Sequence, residues 1–253
     1  MSTPENMSGY APEVPFGRRD SPETVASVRE ELAKNGVHAI KVDGLNRSGR
    51  DCVYLSMMHG VKPDRTGRRR VRDDDNRDPA NKPIAFEMEE KTVSDIRKML
   101  ADHIEGIWDM AGHWARDSLR LHIEHEARHY YDMECRPVEE VMQRYCKAIR
   151  GEDEPGMYGD VGVMLAFASR FNVKLLVFTP PVVVNTRTNT TKLYRPFVFG
   201  ARSVDGRGRK VQRATSYMMI YVLAEGLAHA EPLSTMSVAS RWTGACPSCA
   251  KRV

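Results

Sequence analysis

The run Met218-Met219-Ile220-Tyr221-Val222-Leu223 is the feature that most constrains the fold. An unbroken apolar stretch leaves no polar face for water, so the strand read over Thr215 to Leu223 must be covered on both sides. A second buried strand is expected over Val173 to Thr179, closed by Pro180-Pro181. Helical patterns come earlier. Ser21 to Asn35 reads as a helix, with Ser21 as cap, Pro22 in the first turn and Gly36 as the stop. From Thr92, apolar residues Ile96, Leu100, Ile104 and Ile107 recur at three-to-four spacing. The stretch from Trp114 to Tyr131 is expected to stay helical. Val138, Val141, Tyr145 and Ile149 stripe another helix, and Asp160 to Phe171 forms the last, ended by Asn172. Shorter strands are read at residues 38–42 and 196–199. Helices first and strands later predict an α+β fold in one domain.

The chain has 253 residues and is 41% hydrophobic, enough for one sizeable core or two small ones. No apolar run approaches the length of about eighteen residues that a membrane span needs. Residues 1–21, rich in Pro, Ser, Gly and charge, read as a disordered tail without the apolar stretch of a signal peptide. The folded domain is expected over 22–235, with a C-terminal tail at 236–253. Five cysteines, an odd number at irregular spacing, argue against a disulfide framework and for a reducing, cytoplasmic setting. Net charge is a mild +4. The positive excess lies in Lys62 to Arg72 and is followed at once by Asp73-Asp74-Asp75. Such a mixed cluster reads as a solvated loop, and its sharper readings are a nuclear localisation signal or a nucleic-acid contact. No aromatics interleave with it, which argues against a single-strand-binding surface.

Chemistry points first to Cys52. It follows the strand-like run 38–42 and a Gly-bearing polar loop, and it opens a helix expected from Cys52 to Gly60. The first turn of a helix carries unpaired N–H groups and partial positive charge, which favour thiolate over thiol. The residues before it, Gly49, Arg50 and Asp51, can present backbone N–H groups to an oxyanion. Cys52 also has a bland reading, a small buried hydrophobe. Far downstream, His229 sits in an extended segment beside Glu231, a carboxylate able to hold the imidazole tautomer. Residues two apart on an extended segment share a face. Glu231 is the only acid after His229, so a downstream orienting group must be Glu231. The upstream rivals are Asp43, Asn46 and Asp51.

A competing constellation is His125-Glu126-Ala127-Arg128-His129, the H-E-x-x-H pattern of zinc peptidases, in which one helix face carries both ligands. Against it stand the charged flanks, with Arg128 between the histidines, and Asp132 where the extended pattern needs Gly. Cys246-Pro247-Ser248-Cys249 is a lone C-x-x-C without the second pair that a structural zinc requires.

The segment Tyr158-Gly159-Asp160 through the Asp160–Phe171 helix and Asn172 into Val173–Phe178 resembles the mid-domain signature of the ovarian tumour (OTU) family of deubiquitinating cysteine proteases. The Val138 helix, the Cys52 block with Tyr54 and Ser56, and the ending at His229 resemble that family in the same order, over about residues 23–235. The family places Asp-Gly-Asn before the nucleophile, whereas this chain has Gly49-Arg50-Asp51, with Asp43-Gly44 further upstream. After the histidine the family has an aromatic and then Asn or Asp; here stand Ala230 and Glu231. The resemblance implies a papain-like fold with a central mixed β-sheet flanked by helices. It also implies Cys52 as nucleophile, His229 as base and Glu231 as third member. The partner it implies is ubiquitin or a ubiquitin-like protein on ubiquitinated proteins, with no metal or organic cofactor. The alternatives are a catalytically silent ubiquitin-binding pseudoenzyme and the zinc peptidase.

Overall fold

Met218, Met219 and Ile220 are all fully buried, so both faces of their strand are covered, as its composition requires. The structure, a computed structural model, describes residues 20–34, 36–42, 49–63, 88, 91–152, 158–180, 197–200, 214–222 and 228–234. In chain order the elements are α1 (Pro22–Lys34), β1 (His38–Ala39), α2 (Cys52–Gly60), β2 (Val61–Pro63), α3 (Val93–Ile107), α4 (Arg116–His122), α5 (Val138–Arg150), α6 (Val161–Arg170), β3 (Val173–Phe178), β4 (Phe197–Phe199), β5 (Ala214–Val222) and β6 (Ala228–Ser234). A 3-10 turn, Gly49–Asp51, leads directly into α2.

The strands form one mixed sheet in the order β1-β6-β5-β3-β4. β3 and β5 run parallel, and the other pairs are antiparallel. β6 pairs with β5 from Tyr217↔Leu233 to Val222↔Ala228, while β2 takes up the start of β5 at residues 214–216. Alternation along β5 sorts its side chains to two faces. Met218 and Ile220 enter the main core with Ala230 of β6 and the buried stripes of α2, α3, α5 and α6. Met219, Tyr221 and Leu233 face the other way and are covered by Val25, Val28 and Leu32 of α1. The sheet is therefore flanked by helices on both faces, unequally.

Local signals explain the helix bounds. Ser21 Oγ accepts from the Thr24 N–H at 3.1 Å. Thr92 and Asp95 close a reciprocal capping box on α3, a motif whose cap is worth about 1 kcal/mol. Asn172 leaves α6 with a left-handed φ of 51°. Several expectations need correction. The strand read over 38–42 is a strand at His38–Ala39, paired with the end of β6, with one further hydrogen bond from the Ile40 N–H to the Pro232 carbonyl at 2.9 Å. The stretch from Trp114 to Tyr131 is helical from Arg116 to Tyr130, as expected, but passes through a π-helical turn at Ile123–Ala127 between α4 and a last turn Arg128–Tyr130. β2 appears where a polar loop was expected, and the extended segment around His229 is a full strand, β6. No helix among the described residues is long and apolar enough to cross a membrane. The tails, most of the basic run 62–72, Asp43, Asn46, Cys246 and Cys249 lie outside the described residues.

Candidate active site

Cys52 is the first residue of α2, as its sequence setting predicts. The helix is pinned to the sheet by the Ser216 hydroxyl, which donates to the Met57 carbonyl at 3.0 Å. Cys52 is 1% exposed. Burial pushes its pKa up, and the Asp51 carboxylate adds to that, while the backbone N–H groups of Ala230, Val53 and Cys52 itself pull it down. On balance the thiol pKa lies above its ordinary value, so burial outweighs the amide groups at the helix start. Ala230 belongs to β6 and adjoins His229, so the fold brings the thiol to the strand that carries the candidate base.

His229 pairs with Tyr221 across β5 and β6, and their rings meet edge-on with centroids 5.2 Å apart. By strand alternation its imidazole leaves β6 on the α1 side, whereas the thiol is met by Ala230 on the main-core side. The described contacts include no hydrogen bond between imidazole and thiol. Burial lowers the His229 pKa; Glu231 raises it and Arg29 opposes that rise. Glu231 shares the face of His229, and its carboxylate is held by an arginine on α1. Arg29 Nε donates to Oε1 at 2.8 Å and Nη2 to Oε2 at 2.5 Å. Nη2 also reaches the Tyr221 hydroxyl at 3.2 Å.

Gly49, Arg50 and Asp51 form the turn before the thiol, and a second arginine fixes it. Arg97, buried on α3, donates from Nε and Nη2 to Asp51 Oδ1 at 3.0 and 2.6 Å. It also donates to the carbonyls of Ile149 and Arg50, at 3.0 and 3.4 Å, and lies over the Tyr54 ring at 4.0 Å. Asp51 is thereby a structural anchor of the turn.

Tyr158-Gly159-Asp160 abuts the same helix. A Cβ at Gly159 would meet Val53 Cγ1 at 2.5 Å, so only glycine allows this approach to the residue after Cys52. Arg50 lies over the Tyr158 ring at 5.7 Å. Asp160 caps α6 through the Val163 N–H at 2.8 Å and also accepts from Tyr145 at 2.6 Å. Its other oxygen meets His122 Nε2 at 2.7 Å.

The H-E-x-x-H residues take no part in this. His125, Glu126 and His129 are exposed on the π-helical turn and the single turn after it, and His129 Nδ1 meets Glu134 at 3.2 Å. Among the described residues no three His, Cys, Asp or Glu side chains are grouped to hold a metal ion. Sequence reading missed Arg29, Tyr221, Arg97 and the His122–Tyr145–Asp160 cluster. Asp160 alone had a readable signal, as a cap before an apolar run.

No family model matches the chain, and no curated protein matches it. Among solved structures, one titled "Structure of OTUD1 OTU domain" is similar over 83% of this chain and 94% of that chain, with 11% identity and a TM-score of 0.41.

Proposed function

We propose that this chain is a cysteine-dependent hydrolase cutting isopeptide or peptide bonds at the C-terminus of ubiquitin or a ubiquitin-like modifier. The observation that carries the reading is Cys52 at the start of α2, beside Ala230 of β6, the chain neighbour of His229. The substrate class rests on the sequence resemblance to the OTU family. The Cys52 thiolate attacks the substrate carbonyl, and backbone N–H groups at the head of α2 stabilise the oxyanion. His229 gives its proton to the leaving lysine amine, then takes one from the water that releases the thioester. Glu231 stabilises the imidazolium. A reducing compartment, cytoplasm or nucleus, keeps the thiol competent.

The second reading is a silent ubiquitin-binding pseudoenzyme, favoured by the burial of Cys52 and by an imidazole on the α1 side of β6. Ubiquitin bearing a C-terminal thiol-reactive warhead separates the two. The hydrolase reading expects a covalent adduct that Cys52→Ala abolishes. A folded protein that binds ubiquitin but never forms the adduct would sink it and leave the pseudoenzyme.

A further inference from the structure

Residues on both sides of Cys52 are held by one side chain. Arg97 of α3 donates from Nε and Nη2 to the carboxylate of Asp51, the residue before Cys52. Nη2 also reaches the Arg50 carbonyl, and the guanidinium lies over the ring of Tyr54, two residues after Cys52. Nη1 donates to the Ile149 carbonyl in the last turn of α5, so the fork is tied to the core as well. A point charge could serve Asp51 alone. Only a planar fork reaches a carboxylate oxygen and two main-chain carbonyls from one stem.

The bond to Arg50 restricts one peptide plane. In a trans peptide the C=O and the following N–H point in opposite directions. With the Arg50 oxygen turned to Arg97, the Asp51 N–H is turned away from it, and a flip of that peptide would break the bond. Gly49–Asp51 is a 3-10 turn that runs straight into α2, so its N–H groups are among the unpaired donors at the helix head. Donors of this kind are what the attack of Cys52 needs for the oxyanion. The charge matters too. Burial raises the Cys52 pKa and the Asp51 carboxylate adds to the rise, while Arg97 is the cation paired with that carboxylate.

We propose that Arg97 is a positioning residue for Cys52: its fork fixes the Arg50–Asp51 peptide, and with it the amide donors at the head of α2 that receive the oxyanion. This rests on Cys52 being the nucleophile, as proposed above. Arg97 acts through Asp51 and Arg50, which are joined to Cys52 by the chain itself. Donors held in place for the oxyanion act in the transition state and not on the bound substrate. Their misplacement therefore lowers kcat and leaves KM.

The test compares the wild type with Arg97→Lys, Arg97→Met and Asp51→Asn. For the wild type and Arg97→Lys, kcat and KM are measured for release of a fluorescent amine from the ubiquitin C-terminus. For all four, the pH profile of Cys52 alkylation by iodoacetamide is followed by peptide mass. Arg97→Lys keeps the charge and loses the fork. Its kcat should fall by about a hundredfold, the effect of losing one oxyanion donor. Its KM should stay within about twofold of the wild type. Arg97→Met leaves the Asp51 charge unpaired and should move the alkylation profile up by about one pH unit, whereas Asp51→Asn should move it down. A fold that is merely loosened would shift both in the same direction. Arg97→Lys decides the matter if Arg97→Met fails to fold. An unchanged kcat in folded Arg97→Lys, or alkylation profiles that move together, would overturn the proposal and make Arg97 a structural tie. The hydrolase reading fails separately: profiles that split as expected in a protein without turnover would keep the hold of Arg97 on Cys52 and remove the hydrolase.

Discussion

Arg97–Asp51 and Arg29–Glu231 are made from the same two groups and bury opposite ends. In the first the arginine side chain is 10% exposed and the aspartate 38%. In the second the arginine is 44% exposed and the glutamate 9%. Arg97 is held by more than its carboxylate, through the Ile149 and Arg50 carbonyls and the Tyr54 ring, all within the structure that supports α2. Arg29 reaches in from the rim of α1 and is itself partly open to water. The first pair fixes the turn that presents Cys52. The second sits where water can compete for the cation.

Stability measurements can break this contrast. Arg97→Ala should lower the unfolding free energy by about 3 kcal/mol, because it removes a buried guanidinium that serves a carboxylate and two carbonyl acceptors at once. Arg29→Ala should cost less, about 1–2 kcal/mol, most of it from leaving Glu231 buried without its partner. Urea unfolding of the two variants beside the wild type gives the ranking directly. Equal losses would mean that which end of the pair is buried does not set its worth.

What could be read from the sequence follows the same divide between local and distant causes. The start of α2 at Cys52, the cap at Thr92 and the end of α6 at Asn172 are set by neighbours within a turn, and each stands where the residues imply. β5 was legible because its apolar run admits one environment. β6 was not, since Ala228–Ser234 mixes His, Glu and Pro without clean alternation and becomes a strand only through pairing with β5 and β1. The two arginines were invisible for a related reason. On an amphipathic helix an arginine reads as solvent face, and only the position of Asp51 or Glu231, far off in sequence, makes it a partner. The placement of Cys52 was therefore readable from its own segment, while the side chains gathered around His229 were not.

A third carboxylate sharpens the comparison, because its cation can titrate. Asp160 meets His122 where Asp51 and Glu231 meet arginines, which stay charged throughout the ordinary pH range. Burial works against the His122 imidazolium, but the charge and hydrogen bond of Asp160 outweigh it, so its folded pKa lies above the ordinary 6.5. A pKa raised by folding stabilises the protein fully below the unfolded value and loses that contribution as pH rises through the folded one. The wild type should therefore lose part of its stability as pH climbs above 6.5, and His122→Gln should lack that component. Unfolding free energy against pH for the two proteins tests this. Parallel curves would mean that the imidazole stays neutral and that the pair is an ordinary hydrogen bond.

The series ends with a pair that is exposed at both ends. His129 and Glu134 are 88% and 54% exposed at 3.2 Å, and His125 is exposed on the π-helical turn before them. Water screens such a contact almost completely, and the long side chain of Glu134 loses rotamer freedom to hold it. Replacing both histidines, His125→Ala with His129→Ala, should leave the unfolding midpoint and the rate of Cys52 alkylation unchanged, and adding zinc or a chelator should change neither protein. The reason is structural. A catalytic zinc needs three protein ligands converging on one point, and this surface turn offers two histidines with no third group among the described residues. A midpoint raised by zinc in the wild type and not in the variant would reverse that conclusion and return the H-E-x-x-H segment to a functional role.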